Sequence, residues 1–222
     1  MNSQSASSLP SLTLQLSTLV GALCFEHLPK PVIHWASRAI ADTIACALAG
    51  TNEDSPAMLA SILPRTEGQS LVLGGRERMH MLDAAQRNGA AAHTLDFDDC
   101  NLVMDGHPSV SIIPALLALA DELDCSGSAF LTAYVAGIEA EIRIAALSNP
   151  AHVDRGWHPT VTFGVLGCAI ACARLLQLEP QAIARAIAIA ASSAAGLRAN
   201  SGTMTKPLHA AMANRNGLQA AL

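Results

Sequence analysis

The 222 residues are enough to bury a sizeable core, in one large domain or two small ones. Hydrophobic residues make up 51%, charged residues 14% and aromatics 3%, with alanine near a fifth, which excludes a disordered chain and argues against a β-sandwich. The net charge is −5 and there are two lysines, Lys30 and Lys206, so no basic face is offered to a nucleic acid.

Alanine is the best helix former and lets helix backbones approach closely. The composition therefore predicts a tightly packed all-α chain. Residues 1–10 are serine-rich and end at Pro10, which predicts a flexible tail ahead of one helical domain over 11–222. A first amphipathic helix is expected from Leu12 to Phe25. Pro31 opens a second, with Ile33, Ala36, Ile40, Ile44 and Ala47 at spacings of three and four, and Gly50 is expected to stop it at C′. A short helix over 55–63 and a strand over Ser70–Leu73 follow. Met79–Thr94 reads as a helix that delivers the chain to the acidic cluster Asp96, Asp98, Asp99. Further helices are predicted from Pro108 to about Leu123, and from a Ser126 or Ser128 cap to about Leu147. A loop over 149–158 leads to alanine-rich helices over Thr160–Leu176 and Pro180–Ala195, and another starts near Pro207. Gly164 and Gly167 offer a smooth surface for close helix contact. The chain reaches Leu222 without a stop signal, so it is expected to be incomplete at its C-terminus.

Mean hydropathy is +0.34, which raises the question of a membrane span. Val161–Ala173 is too short and is followed by Arg174, while Ala182–Leu197 is broken by Arg185, so both are expected to be core helices. With no lysine or arginine before Lys30 a secretory signal lacks its charged region, and a cytoplasmic protein is expected. The six cysteines show neither zinc-ribbon nor cluster spacing. They read as small buried hydrophobes, and no metal or other cofactor is expected.

Polar residues are scarce, so their clustering is informative. One group is His93-Thr-Leu-Asp96-Phe-Asp98-Asp99-Cys100 with Gly106-His107-Pro108-Ser109. The second is Gly156-Trp157-His158-Pro159-Thr160, and the third Thr203-Met-Thr205-Lys206-Pro207-Leu208-His209. Each is a polar loop feeding a helix start, where free backbone N–H groups suit a carboxylate. Convergence of Asp96, His107, His158 and Lys206 would supply a base, acids or hydrogen-bond donors, and a cation. That set suits proton abstraction beside a carboxylate and loss of a leaving group, with Asp96, His107 and His158 all open as the base. A His-Pro pair can also be a plain cap, and adjacent aspartates a solvated turn. Lys206 opposes the helix dipole, which suggests a purpose other than stability. His27, His34, His80 and His152 lack such neighbours and read as surface or packing residues.

The stretches HTLDFDDC with GHPSVSIIPALLALAD, GWHPTVTFGVLGCAIACARLLQLEP and GLRANSGTMTKPLHAAMANRNGLQAAL, in this order, resemble the MmgE/PrpD family. Activities in that family include 2-methylcitrate dehydration, cis-aconitate decarboxylation and iminodisuccinate epimerisation. The resemblance implies an alanine-rich all-α domain that forms a homodimer, with further helices and an α/β lid domain lying beyond this sequence. It implies a cofactor-independent lyase on a small polycarboxylate, with dehydration of the 2-methylcitrate kind the leading expectation and decarboxylation or epimerisation the alternatives. Carried over by position, the catalytic set is Asp96, His107, His158 and Lys206, with Cys100, Thr205 and His209 in substrate binding. Cys100 stands where the decarboxylases commonly have threonine, so a hydroxyl donor is missing. Two other readings compete. A magnesium-dependent prenyl-type synthase is disfavoured because the aspartates lack i, i+4 spacing and no second acidic motif follows. A non-catalytic helical fragment that only associates is the other. Self-association is expected through an exposed alanine and glycine face on residues 160–195.

Overall fold

A computed structural model describes residues 11–222; the predicted tail over 1–10 lies outside them. Eleven α-helices and one minimal hairpin are found among the described residues. The helices are α1 (Leu12–Gly21), α2 (Lys30–Gly50), α3 (Asp54–Ile62), α4 (Met81–His93), α5 (Ile113–Leu123), α6 (Gly127–Ser148), α7 (Ala151–Asp154), α8 (Pro159–Thr162), α9 (Gly164–Leu175), α10 (Pro180–Ala191) and α11 (Thr205–Ala221). The fold is all-α, as the composition predicts. Strands β1 (Ser70–Leu71) and β2 (Arg78–Met79) pair antiparallel over two residues each. No helix among the described residues is long and apolar enough to cross a membrane.

Side chains at the helix ends explain several boundaries. Ser11 Oγ accepts the Leu14 N–H at 3.3 Å to start α1, and Ser126 Oγ accepts that of Ala129 at 3.2 Å to start α6. α5 ends where Asp124 turns left-handed at φ 47°. The first helix stops at Gly21, and only a short 3₁₀ turn at Phe25–His27 occupies the end of its expected range. The helix expected over Thr160–Leu176 is broken into α8 and α9 at Phe163–Gly164.

The helices form a chain of neighbours, α2 on α4, α4 on α11, α11 on α9 and α9 on α6, with α5 set between α4 and α9. Alanine makes the contacts close: Ala84, Ala115, Ala133, Ala169, Ala171, Ala210 and Ala213 are fully buried. Ile112, Ile113, Leu116, Tyr134, Ile170, Ile183 and Leu218 fill the core between them, each side chain contributing ~1.5–3 kcal/mol by leaving water. The expected close helix contact at Gly164 and Gly167 is present. A β-carbon on Gly137 of α6 would stand 2.7 Å from the Gly167 carbonyl of α9, so the two helices need glycine at their crossing. Gly50 departs from expectation. It lies inside α2 rather than beyond it, and it is small because the Ala91 backbone of α4 presses on it, not because φ is positive.

Buried amides tie loops to helices. Asn214 of α11 accepts the Ala115 N–H at 2.9 Å and donates to the Val110 and Ala210 carbonyls at 2.8 Å each. It thereby satisfies backbone groups left open where Pro114 starts α5. Asn88 does the same for the hairpin, accepting from Leu73 N and donating to the Leu71 carbonyl, both at 2.9 Å.

The expected exposed face on residues 160–195 is confined to α10 and the residues just after it, where Ala188, Ala191 and Ala195 are exposed. α9 is buried on nearly every side, covered by α6, α10 and α11, and the outward side of α10 carries Ile189. Larger apolar groups are exposed elsewhere, at Trp35, Phe97, Leu102 and Val103.

Candidate active site

The site begins at the end of α4, a helix buried from Asp83 to His93 except at Arg87. His93 therefore enters the interior, 1% exposed. The chain then reverses at Asp96, whose φ of 59° is left-handed. Aspartate tolerates this conformation better than most residues, yet such geometry costs of order 1–3 kcal/mol and concentrates at functional sites. The reversal points Asp98 inward, 3% exposed, and leaves Asp96 half exposed. A tight loop follows. Asn101 Oδ1 accepts the Val103 and Met104 N–H groups at 3.0 and 2.9 Å, and Asn101 bridges to Gly106. The loop returns His107 to Asp98, and the His107 N–H donates to Thr160 Oγ1 of α8 at 3.1 Å.

Asp98 is the centre of the arrangement. Its carboxylate faces His93 Nδ1 at 2.9 and 3.0 Å and His107 Nδ1 at 3.2 Å. Burial alone would raise its pKa, but the two imidazoles outweigh that and hold it well below the usual carboxylate range. His107 Nε2 lies 3.3 Å from Asp96 Oδ1, and the same Asp96 oxygen receives the Lys206 ammonium from the first turn of α11. For Asp96, burial is outweighed by Lys206, and its pKa is lowered. For His107, burial opposes the proton, but Asp98 prevails and the pKa is raised. The sequence His93, Asp98, His107, Asp96, Lys206 thus alternates imidazole or ammonium with carboxylate along one continuous line.

A second histidine pair stands behind it. His158 Nδ1 lies 3.0 Å from His209 Nδ1, and the His158 ring stacks on His93 at 6.1 Å between centroids. Burial pushes the His158 pKa down to about 3, and it lowers that of His209 as well. This pair is neutral near pH 7, one ring donating from Nδ1 and the other accepting.

A cavity of about 340 Å³ opens over the network, lined among others by Ser55, His93, Asp96, Thr203 and Lys206. The structure thus brings Asp96, His107 and Lys206 into direct contact. His158 and His209 are reached only through His93, and neither is among the residues that line the cavity. Cys100 is exposed, with Sγ 3.6 Å from His107 Nδ1; burial and Asp98 raise its pKa, so it is a poor nucleophile. Thr205 opens α11, but Thr203 is the threonine that lines the cavity. A larger groove of about 1100 Å³ lies on the other side of the acidic loop, between Trp35, Phe97 and Tyr134, and no histidine or lysine lines it.

Two central residues, His93 and Asp98, were not among the sequence candidates for catalysis, although both lie in the first quoted cluster. Their signal was an imidazole closing a buried alanine-rich helix five residues before an aspartate. As for a metal, His93, Asp96, Asp98 and His107 offer ligand atoms within 4.8 Å of one another. Asp98 is already shared by two imidazoles and Asp96 by Lys206, so the set is an internally paired network rather than a vacant cage.

A family model described as the MmgE/PrpD N-terminal domain matches residues 14–222. Among curated proteins, cis-aconitate decarboxylase of Homo sapiens is 34% identical over 221 residues, covering 96% of this chain and 46% of that protein. The mouse (Mus musculus) protein of the same name is 32% identical, covering 96% of this chain and 45% of its own. A cis-aconitate decarboxylase of Aspergillus terreus is 28% identical, with 98% and 47% covered. The chain spans about half the length of these relatives.

Proposed function

The chain belongs to the MmgE/PrpD family, and from that premise we propose that it forms the helical part of a cofactor-independent lyase acting on a small polycarboxylate. The observation that carries this reading is the pairing of Lys206 with Asp96 at one cavity, with His107 reaching the same Asp96 oxygen from behind the lining. Lys206 supplies a compact cation for a substrate carboxylate. The pKa of His107 is raised and that of Asp96 lowered, so a group biased to its acid form and one biased to its base form stand 3.3 Å apart. His158, with a pKa near 3, is unsuited to take a proton near pH 7 and serves as a neutral hydrogen-bonding group.

The relatives named as cis-aconitate decarboxylases favour decarboxylation as the reaction. The bond to the departing carboxyl group breaks and its electron pair forms a new carbon–carbon double bond. The existing double bond shifts and takes up one proton at carbon, which His107 delivers. Dehydration of the 2-methylcitrate kind is the second reading. It uses the same residues in another order: Asp96 removes the proton beside a carboxylate, and His107 protonates the departing hydroxyl. A homodimer belongs to the proposal, with the exposed group Trp35, Phe97, Leu102 and Val103 as its apolar surface.

Calorimetric titration with cis-aconitate and with 2-methylcitrate tests the reading. Wild type is expected to bind, and Lys206→Ala to lose binding while unfolding at the same or a slightly higher temperature. Lys206→Arg should also bind poorly. NMR of the products then separates release of carbon dioxide from loss of water. Undiminished affinity in Lys206→Ala would sink the assignment.

A further inference from the structure

His93 and Asp98 lie behind the residues to which the lyase reading gives chemical roles. They are among the most buried polar groups in the molecule, and their geometry specifies where protons sit. His93 Nδ1 faces both oxygens of Asp98 at 2.9 and 3.0 Å. Its Nε2 is buried and has no hydrogen-bond partner among the described residues. A proton on Nε2 would be a buried donor with no acceptor, which is costly, and more so for a charged ring. Nδ1 is therefore the His93 nitrogen that donates, and Asp98 accepts. His107 is the opposite case. Its Nδ1 faces the Asp98 backbone carbonyl at 3.3 Å and the Asp98 carboxylate at 3.2 Å, and its Nε2 faces Asp96 at 3.3 Å, so both ring nitrogens have an acceptor for a proton.

We propose that His93 and Asp98 are positioning residues: the His93–Asp98 pair fixes His107 as a doubly protonated imidazolium, Nδ1–H on Asp98 and Nε2–H directed to Asp96 at the edge of the cavity. The fold supports this at each point. Asp98 is held from behind by a ring at the end of a buried helix. His93 in turn is fixed by edge contact with His107, with ring centroids 4.8 Å apart, and by stacking on His158. The His107 backbone is held by Thr160. The titratable groups facing His107 are Asp96, Asp98 and Cys100 from its own loop region, His93 from α4 and Lys206 from α11. Two carboxylates oppose one ammonium among them, so the local balance favours a charged ring. The arrangement puts a stored proton beside the cavity without exposing the carboxylate that retains it.

The catalytic value of this device rests on the lyase reading, whereas the device itself is measurable without turnover. Nitrogen-15 NMR on the histidine-labelled protein reports the proton on each ring nitrogen. At pH 7 the expected pattern is two protonated nitrogens on His107 and Nδ1 alone on His93. Asp98→Asn should lower the His107 titration midpoint by at least one pH unit, a tenfold change in its proton affinity. His93→Ala should lower it less, and His93→Asn, whose amide can donate to Asp98 from the Nδ1 position, should restore it. A purely structural role would change unfolding temperature and leave these midpoints in place. Where the protein turns over a polycarboxylate, Asp98→Asn should reduce kcat with KM little changed and shift the pH limb that reports the acid. A wild-type His107 with one protonated nitrogen at pH 7, or a midpoint unmoved in Asp98→Asn, overturns the proposal. Should Asp98→Asn not fold, the wild-type pattern and the two His93 variants decide it. Absence of polycarboxylate binding with the NMR pattern intact would instead count against the lyase reading alone.

Discussion

Asp98 and Glu141 are both carboxyl groups withdrawn from water, and they end in opposite states. Asp98 is shared by two imidazoles and held ionised. Glu141, in the middle of α6, is 0% exposed and meets only the Ser111 hydroxyl, which donates to its Oε2 at 3.3 Å. Its Oε1 finds no partner among the described residues, and Asp99 adds a like charge. Burial therefore carries its pKa well above the usual range, and it is buried as a neutral acid. Burial pushes both groups the same way. Whether a cation stands at hydrogen-bond distance decides the outcome. In a chain with so few charged residues, an interior charge persists where a partner is built for it, as for Asp98 in the candidate site and for Asp83 beside Arg215.

The comparison can be broken most forcefully at Asp98. Asp98→Ala removes the anion that holds two buried imidazoles, and the expected loss is about 3 kcal/mol of stability, read from the urea midpoint. An unchanged midpoint would mean that Asp98 is not the anchor its geometry implies.

Glu141 sharpens the contrast through pH. Its folded pKa is raised, so the folded state holds a proton that the unfolded state releases. Stability from this group is full below the unfolded value near ~4.3 and declines as pH rises toward the folded pKa, by at most ~1.4 kcal/mol per pH unit. Asp98 has the reverse sign: its stability is present above an unfolded value of ~3.9 and is lost as pH falls toward its depressed folded pKa. Glu141→Gln should therefore match wild type near pH 4 and exceed it at pH 7. Denaturation series at pH 4, 5.5 and 7 check this, and equal pH slopes for the two proteins would rule out a neutral Glu141.

The smallest effect belongs to a carboxylate that has a cation but no burial. Glu139 pairs with Arg143 one helical turn on, at 3.0 Å, and both side chains are more than half exposed. Glu139→Gln should change stability by no more than ~0.5 kcal/mol, with the difference fading in high salt. A larger loss would show that proximity matters here without desolvation.

Much of the helical order could be read in the sequence because caps, prolines and apolar spacing are local signals. Pro31, Ser126 and Pro180 each mark a boundary within a residue or two of the observed start. Three sites resisted for a common reason, namely that a distant segment decides them. Gly50 looked like a stop signal, but its small size answers α4. Residues 160–176 looked like one helix, yet the chain breaks at Phe163–Gly164, where Gly164 meets Ser111 and Glu141 from elsewhere in the chain. Asp96, Asp98 and Asp99 looked alike, and only the left-handed turn at Asp96 makes one face solvent and another two imidazoles. Asp99 takes a third environment, accepting from the Ser109 amide and hydroxyl. Lys206 was legible because a scarce residue type opposed its helix dipole. His93 was harder, because a histidine at the end of a buried helix gives no sign of what its ring touches.

The position of α11 bears on the order in which the chain acquires its structure during synthesis. It lies between α4 and α9, and Asn214 closes backbone groups about a hundred residues earlier. Until residues 205–221 have left the ribosome, facing surfaces of α4 and α9 are without their cover and the start of α5 is without its amide partner. Earlier helices can form as they emerge, since their contacts with their own turns are local, but the centre of the core joins segments far apart in sequence and so comes late. A nascent chain arrested before residue 205 should expose apolar surface to chaperones, and release of α11 is the step that should withdraw it.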